Sequence, residues 1–364
     1  MRYALIMAGG SGTRLWPMST SAQPKQLIPF INGRSLLQIS FERLDGLVPS
    51  ENRYICAGNA HRNIISQRLS GFSDGQFIGE PTGRDTLNAL AYSAAVLYKK
   101  DPSAVIAVFT ADHVIEPVDE FQKIVEMGYE VVENSEDTLV TFGITPDHPA
   151  TGFGYLELGQ VFHKEAKLLK SFREKPEKIV AEEYFAAGAQ QYLWNSGMFV
   201  WKASTLLKCV EKYEPQNYRQ IMEIVEVSES DDFEKTLNKI YPELKKISID
   251  YAVMEPASQD DQFNVAAVPM PLTWIDLGSW TAFAEITNGD EEENSFGGGK
   301  HLLVDSSKTL IASENDSHLL AGIGLENMIV IHTDKATLIC PRDRDQDIKK
   351  LYEAVKEKYG SDYI

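Results

Sequence analysis

Apolar and polar positions along this chain follow two rhythms, and the change from one to the other marks its organisation. Through the first 140 residues, continuous apolar runs predict buried strands at Tyr3–Met7, Tyr54–Ala57, Gln76–Ile78, Ala104–Phe109 and Thr138–Phe142. Between them, apolar residues spaced three and four apart predict helices over Ser35–Leu47, Ala60–Leu69, Thr86–Tyr98 and Glu120–Val132. Strand, helix, strand in this order predicts an α/β fold. Strands without polar alternation predict a mixed, mainly parallel, Rossmann-like sheet with helices on both faces. Ligands of such sheets bind beyond the carboxyl ends of the strands, where the loops after Met7 and Phe109 lie.

The middle of the chain continues the pattern with strands at Leu168–Phe172 and Met198–Trp201. Helices are expected at Ile179–Ala187, Leu206–Tyr213, Asn217–Val227 and Phe233–Ile240. After the acidic stretch Asn288–Asn294 and Gly297-Gly298-Gly299 the rhythm shortens. His301–Val304, Thr309–Ile311, His318–Ala321, Met328–Ile331 and Ala336–Ile339 recur at a spacing of about ten residues, which predicts a small β domain or a few turns of β-helix. Gln346–Tyr359 closes the chain as a helix. The expected domains are residues 1–288 and 289–364.

Charge narrows the partners. With 35 Lys+Arg against 53 Asp+Glu, the net charge is −18, which argues against a nucleic acid or an anionic membrane as main partner. A few local cations still suffice for one phosphorylated small molecule. The acidic runs Ser228–Asp232 and Asp290–Glu293 read as solvated surface. No signal segment precedes Met1-Arg2-Tyr3 and no apolar run approaches the ~18 residues of a membrane span, so a cytoplasmic protein is expected. Cys56, Cys209 and Cys340 form no metal-binding pair and read as buried, reduced thiols.

The first strand runs into Ala8-Gly9-Gly10-Ser11-Gly12-Thr13-Arg14. A dinucleotide fingerprint needs a third small residue where Leu15 stands and a continuing helix, which Trp16-Pro17 breaks. A P-loop needs Gly-Lys-Ser/Thr, which is absent. Two readings remain: a loop whose amides meet phosphate, helped by Arg14 and Lys25, or a tight surface turn with incidental cations.

The opening AGGSGTRLWP…PKQL resembles the signature of the sugar-1-phosphate nucleotidyltransferases, in their mannose-1-phosphate guanylyltransferase branch. Later segments resemble further blocks of that family: Gly79–Thr86, Thr110-Ala111-Asp112-His113, Thr151–Tyr155, Phe172–Pro176, Trp194–Phe199, Ile249–Glu255 and Trp274–Trp280. The chain departs from the family pattern at Thr20–Gln23, Asp85, Asn88, Phe153 and Arg173. Residue by residue, Asp85 also reads as a helix N-cap, Asp112 as a turn residue and the Glu174-Lys175 pair as a strand-end salt bridge.

The resemblance implies a glycosyltransferase-A-like sheet and transfer of GMP from GTP to α-D-mannose 1-phosphate. It places Ala8, Gly9, Gly10, Gly12, Thr13, Glu80, Gly83 and Asp112 on the nucleotide, with Glu80 on the guanine edge. Arg14, Lys25 and Lys175 become the catalytic cations. Gly152, Glu174, Asn195 and Asp276 become sugar contacts, and Asp112 with Asp276 hold magnesium. Asp250 supports the site, His113 is structural, and Met198, Phe199 and Trp201 are core. The resemblance also implies a homodimer, and no phosphomannose isomerase-type cupin domain is expected. Its alternatives are another nucleotide or sugar 1-phosphate, or a non-catalytic sugar-nucleotide sensor.

Overall fold

In the computed structural model, which describes every residue but Ser11 and Asn32, a nine-stranded sheet is the largest element. Its strands are β1 Arg2–Met7, β2 Arg53–Gly58, β3 Phe77–Glu80, β4 Val105–Thr110, β6 Thr138–Ile144, β7 Tyr155–His163, β8 Ala166–Arg173, β9 Tyr192–Lys202 and β10 Asn264–Pro269; β5 is His113–Glu116. The order is β3-β2-β1-β4-β9-β6-β10-β8-β7. β3, β2, β1 and β4 run parallel, and β9 runs antiparallel between β4 and β6, so β6 and its parallel partner β10 share their direction. The mainly parallel sheet predicted from the apolar runs is therefore present. β7 also pairs back onto β9, so that β9, β6, β10, β8 and β7 close a ring. The sequence pattern missed β7 and β10 and found only parts of β8 and β9.

Side chains of a strand alternate between faces, and here both faces are covered. Ile106 and Val108 join Tyr3 and Leu5 in a core with Leu87, Leu90 and Ala94 of the helix Asp85–Lys100 and Leu206 and Ile221 of the helices Ala203–Tyr213 and Pro215–Glu226. On the other face, Phe109 packs on Phe121 of the helix Val118–Glu133 with ring centroids 5.7 Å apart, and Tyr129 donates to the Tyr3 carbonyl. Met198, Phe199 and Trp201 are buried as expected. So are Cys56 and Cys209, whereas Cys340 is half-buried.

The chain folds as two compact units. The first comprises Met1–Gly9, Phe41–Thr110 and Ile115–Trp274; the second gathers Gly10–Ser40, Ala111–Val114 and Ile275–Ile364. The sheet belongs to the first. Strands β5 and β11 (Thr273–Asp276), through which the division passes, form a small sheet of their own.

In the second unit, β12 Asn288–Gly289, β13 Ser295–Gly297, β15 Leu310–Ser313, β17 Met328–His332 and β18 Thr337–Pro341 form one sheet, and β14 Lys300–Val304 pairs with β16 Leu319–Ile323. Pairs β13–β15, β15–β17 and β14–β16 are parallel, which is the stacking of successive β-helix turns. The terminal helix is Ile348–Tyr359. Leu310, Ile329, Ile331 and Ile348 share a core with Leu15, Trp16, Leu277, Trp280 and Phe283. Trp280 Nε1–H donates to the Trp16 carbonyl at 3.1 Å. Leu15 and Trp16 of the signature segment thus pack in the β-helix core. Among the described residues no helix is long and apolar enough to cross a membrane.

Candidate active site

In the second unit the glycine loop turns through Gly10 (φ +104°) and Gly12 (φ +57°), a backbone open to glycine at little cost. A Cβ on Gly12 would collide with Ser19 Oγ and lie 3.1 Å from Lys25 Cβ. The loop therefore closes tightly on the segment that carries Lys25. Thr13–Leu15 makes one 3₁₀ turn, and Trp16, forced into an extended conformation by the following proline, ends it. Gly9 and Gly10 have open space where a Cβ would stand. Ser11, inside this loop, lies outside the described residues. Ala8 is at the end of β1 in the first unit; its N–H donates to the Cys56 carbonyl at 2.8 Å, so that amide is not free for a phosphate.

Lys25 is 8% exposed, with its Nζ 2.6 Å from Asp112 Oδ2 and 3.4 Å from the Leu277 carbonyl. Leu277 N–H donates to the Asp112 carbonyl at 3.0 Å, which ties the two acidic segments together. Ligand atoms of Asp112, His113 and Asp276 all lie within 4.8 Å of one another. Burial works to raise the Asp112 carboxyl, but the Lys25 ammonium first and His113 second together hold the group below the usual carboxylate range. The expected two-carboxylate cluster is thus assembled, and His113, expected to be structural, stands in it as a third donor. Its place beside Asp112 was the available signal. Two carboxylates fit a hard divalent cation, and the imidazole also suits manganese or another first-row metal. Arg14 Nη1 donates to Gln346 Oε1 at 2.9 Å. A Cβ on Gly278 would lie 3.0 Å from Arg14 Nη2 and 3.3 Å from Asp276 Oδ1, so the guanidinium rests on bare backbone beside that carboxylate.

The first unit carries the expected base residues and, apart from Asp276 in the second unit, the expected sugar residues. Glu174, at the end of β8, is 7% exposed and its Oε1 accepts from Lys175 Nζ at 3.0 Å. Burial works to lower the Lys175 ammonium, but the Glu174 hydrogen bond, with the charges of Glu174 and Asp250, raises it on balance. Asn195 pairs with Gly143 near the carboxyl end of β6. Its Oδ1 accepts from Thr141 Oγ1 at 2.7 Å and Gly197 N–H at 3.2 Å, and its Nδ2 donates to Asp250 Oδ1 at 2.9 Å. For a sugar hydroxyl Asn195 therefore keeps one N–H and not the donor-acceptor pair read from its chemistry. Asp250 opens a π-helical turn, Asp250–Met254, a form frequent at functional sites. Burial first, and the neighbouring Glu174 charge second, push its carboxyl up to about 7.

Gly152 meets nothing within 4 Å, whereas a Cβ on Gly154 would lie 2.6 Å from Glu174 Oε2. The close approach in Thr151-Gly152-Phe153-Gly154-Tyr155 is thus at the second glycine. Phe153 packs on Trp194 and Trp274 with centroids 5.1 and 5.3 Å away. Glu80 ends β3, is 7% exposed and accepts from the Tyr241 hydroxyl at 2.7 Å. Burial raises its carboxyl despite that bond. Gly83 has open space around it. Asp85 is not the N-cap: Arg84 holds that position, and Asp85, at φ +67°, accepts from Thr86 N–H. Asn88 is fully buried and ties the Arg84 and Lys245 carbonyls together while accepting from Asn217. Its departure from the family pattern serves packing.

A nucleotidyl transferase family model matches residues 3–293. The chain belongs to that family. A second model, a MannoseP isomerase/GMP-like β-helix domain, matches residues 299–355, the stacked strands of the second unit. This nucleotidyltransferase is 34% identical to a mannose-1-phosphate guanylyltransferase of Klebsiella pneumoniae over its whole length, spanning 76% of that protein. It is 33% identical to one of Escherichia coli, again covering 76% of the relative. A crystal structure described as mannose-1-phosphate geranyltransferase from Thermus thermophilus superimposes with a TM-score of 0.85 at 28% identity, over 98% of this chain and 99% of that one.

Proposed function

We propose that this nucleotidyltransferase transfers GMP from GTP to α-D-mannose 1-phosphate, releasing pyrophosphate, with magnesium as its metal. The observation that carries the reading is the second unit's cluster, where the signature lysine pairs with Asp112 and the Asp112 carboxylate lies within 4.8 Å of that of Asp276, from a distant motif. The relatives' guanylyltransferase names support the choice of base and sugar.

The sugar phosphate is already an anion and attacks the α-phosphorus of GTP in line, displacing pyrophosphate without a covalent enzyme intermediate. Bringing two polyanions together is the main obstacle, so charge neutralisation and positioning carry the catalysis. The amides of Gly10, Gly12 and Thr13 donate to the triphosphate. Arg14 adds a planar fork of donors for the leaving pyrophosphate. Lys25 supplies a point charge to the α-phosphate as negative charge spreads over its oxygens. Asp112 and Asp276 hold the divalent cation, which neutralises phosphate oxygens when bound. In the first unit, Lys175 takes the sugar phosphate, and Glu174, Asn195 and the open backbone at Gly152 take the hydroxyls. Glu80 and Gly83 serve the guanine. A cytoplasmic place follows from these substrates.

A grid of nucleoside triphosphates against sugar 1-phosphates, scored by pyrophosphate release with magnesium, tests the reading. GTP with mannose 1-phosphate is expected to give the highest kcat/KM. A higher value for another pair replaces the substrate assignment, and no release from any pair removes the catalytic one.

A further inference from the structure

Lys25 has more to do here than wait for a phosphate. Pro24 leads into a 3₁₀ turn in which Lys25, Gln26 and Leu27 are all buried, so the lysine stem has little freedom. Its ammonium reaches Asp112 Oδ2 at 2.6 Å and the carbonyl of Leu277, the residue after Asp276, at 3.4 Å. It thus binds one of the two carboxylates expected to hold the metal and the backbone beside the other. A buried ammonium requires acceptors, and a partly buried carboxylate gains from a counter-cation. In the protein alone, each meets that need of the other.

We propose that Lys25 is the resident cation of the divalent site: it holds Asp112 while the enzyme is empty and gives it up when a divalent cation arrives with the triphosphate. This rests on the assignment of Asp112 and Asp276 to the metal. A unit positive charge within a few ångströms of an incoming dication opposes it at the reduced effective dielectric of a partly buried site. Free metal therefore binds the empty enzyme weakly. The triphosphate changes the balance, since it brings anionic oxygens to both cations. Lys25 then has a better acceptor in phosphate, and Asp112 is released to the metal. One exchange thereby arms the catalytic lysine and loads the metal only when nucleotide is present.

The test is Mn²⁺ binding to the nucleotide-free full chain, read as loss of the free-ion paramagnetic resonance signal. Lys25→Met removes the charge and keeps the stem; it is expected to bind Mn²⁺ at least about tenfold more tightly than the wild type. Lys25→Gln serves the same purpose should the methionine variant not fold. Lys25→Arg keeps the charge and is expected to bind as weakly as the wild type. Adding Asp276→Ala to the neutral variant should abolish the gain. Unchanged or weaker Mn²⁺ binding by the folded neutral variant overturns the proposal. A gain that survives Asp276→Ala also overturns it, because the ion is then bound elsewhere. Asp276→Ala in the otherwise wild-type chain separates the two ideas: weakened Mn²⁺ binding there keeps the metal assignment even if the Lys25 proposal falls.

Discussion

One methyl group on Gly154 should cost this enzyme its hold on the sugar. The ideal Cβ of Gly154→Ala lies 2.6 Å from Glu174 Oε2, 3.3 Å from Asn195 Cβ and 3.4 Å from Phe172 Cζ. Ordinary contact begins at 3.4 Å, so the carboxylate must retreat by about 0.8 Å, the difference between 3.4 and 2.6. Glu174 is buried and already held by Lys175, so it cannot swing into solvent without breaking that bond. A hydrogen bond to a charged group is worth about 1.5–3 kcal/mol. Losing one from Glu174 to a sugar hydroxyl should lower kcat/KM for mannose 1-phosphate roughly 10- to 150-fold. The KM for GTP should stay near its starting value. Overpacking should also lower stability by about 1–3 kcal/mol. The assay is steady-state pyrophosphate release at saturating GTP with the sugar phosphate varied, alongside a thermal melt. Gly152→Ala provides the contrast in the melt: its Cβ meets no protein atom within 4 Å, so its Tm should not move. A folded Gly154→Ala enzyme with unaltered kcat and KM for the sugar phosphate would refute the placement of Glu174 on the sugar.

Two further outcomes follow from the same structure. Burial and the Glu174 charge raise Asp250 to about 7, above the ~3.9 of an unfolded chain, so the folded protein binds that proton more tightly. The resulting stability is fully present below about pH 4 and is lost as pH rises through 7. The Tm of Asp250→Asn should therefore gain on the wild type between pH 5 and pH 8, and a constant difference would sink this account. Trp280 is fully buried in the second unit and donates to the Trp16 carbonyl. Trp280→Ala should cost about 3–5 kcal/mol in urea unfolding, and a loss under ~1 kcal/mol would show that this core is not what supports the signature loop.

Much of this molecule was legible in one dimension because the relevant constraints are local. The turn of a helix imposes a period of 3.6 on apolar residues, and a strand covered on both faces is apolar throughout. Hence Tyr3–Met7, Ala104–Phe109, the helices around Thr86–Tyr98 and Glu120–Val132, and the short β-helix strands could be read directly. The missing third glycine, the Trp16-Pro17 break and the cations Arg14 and Lys25 were equally local, and they narrowed the loop to phosphate binding or a bare turn. Sequence also presented Asp112, Glu174, Asn195 and Asp276 as separate polar residues, and Asp112 and Glu174 had ordinary readings as a turn residue and a strand-end salt bridge.

What the sequence could not say was which of them meet. That Lys25 pairs with Asp112, that His113 joins the two aspartates, and that Gly154 and not Gly152 presses on Glu174 all depend on strand register and loop closure between segments far apart in the chain. The same holds for Asn88, whose amide is spent on backbone carbonyls, and for Ala8, whose N–H is spent on β2. Periodicity could not assign the signature segment to the β-helix core either. Trp16 lies in one short segment and Leu277 with Trp280 in another far along the chain, and only packing brings the two together. Local backbone geometry is written residue by residue, whereas the geometry of a site is a property of distances that exist only once the chain has closed on itself.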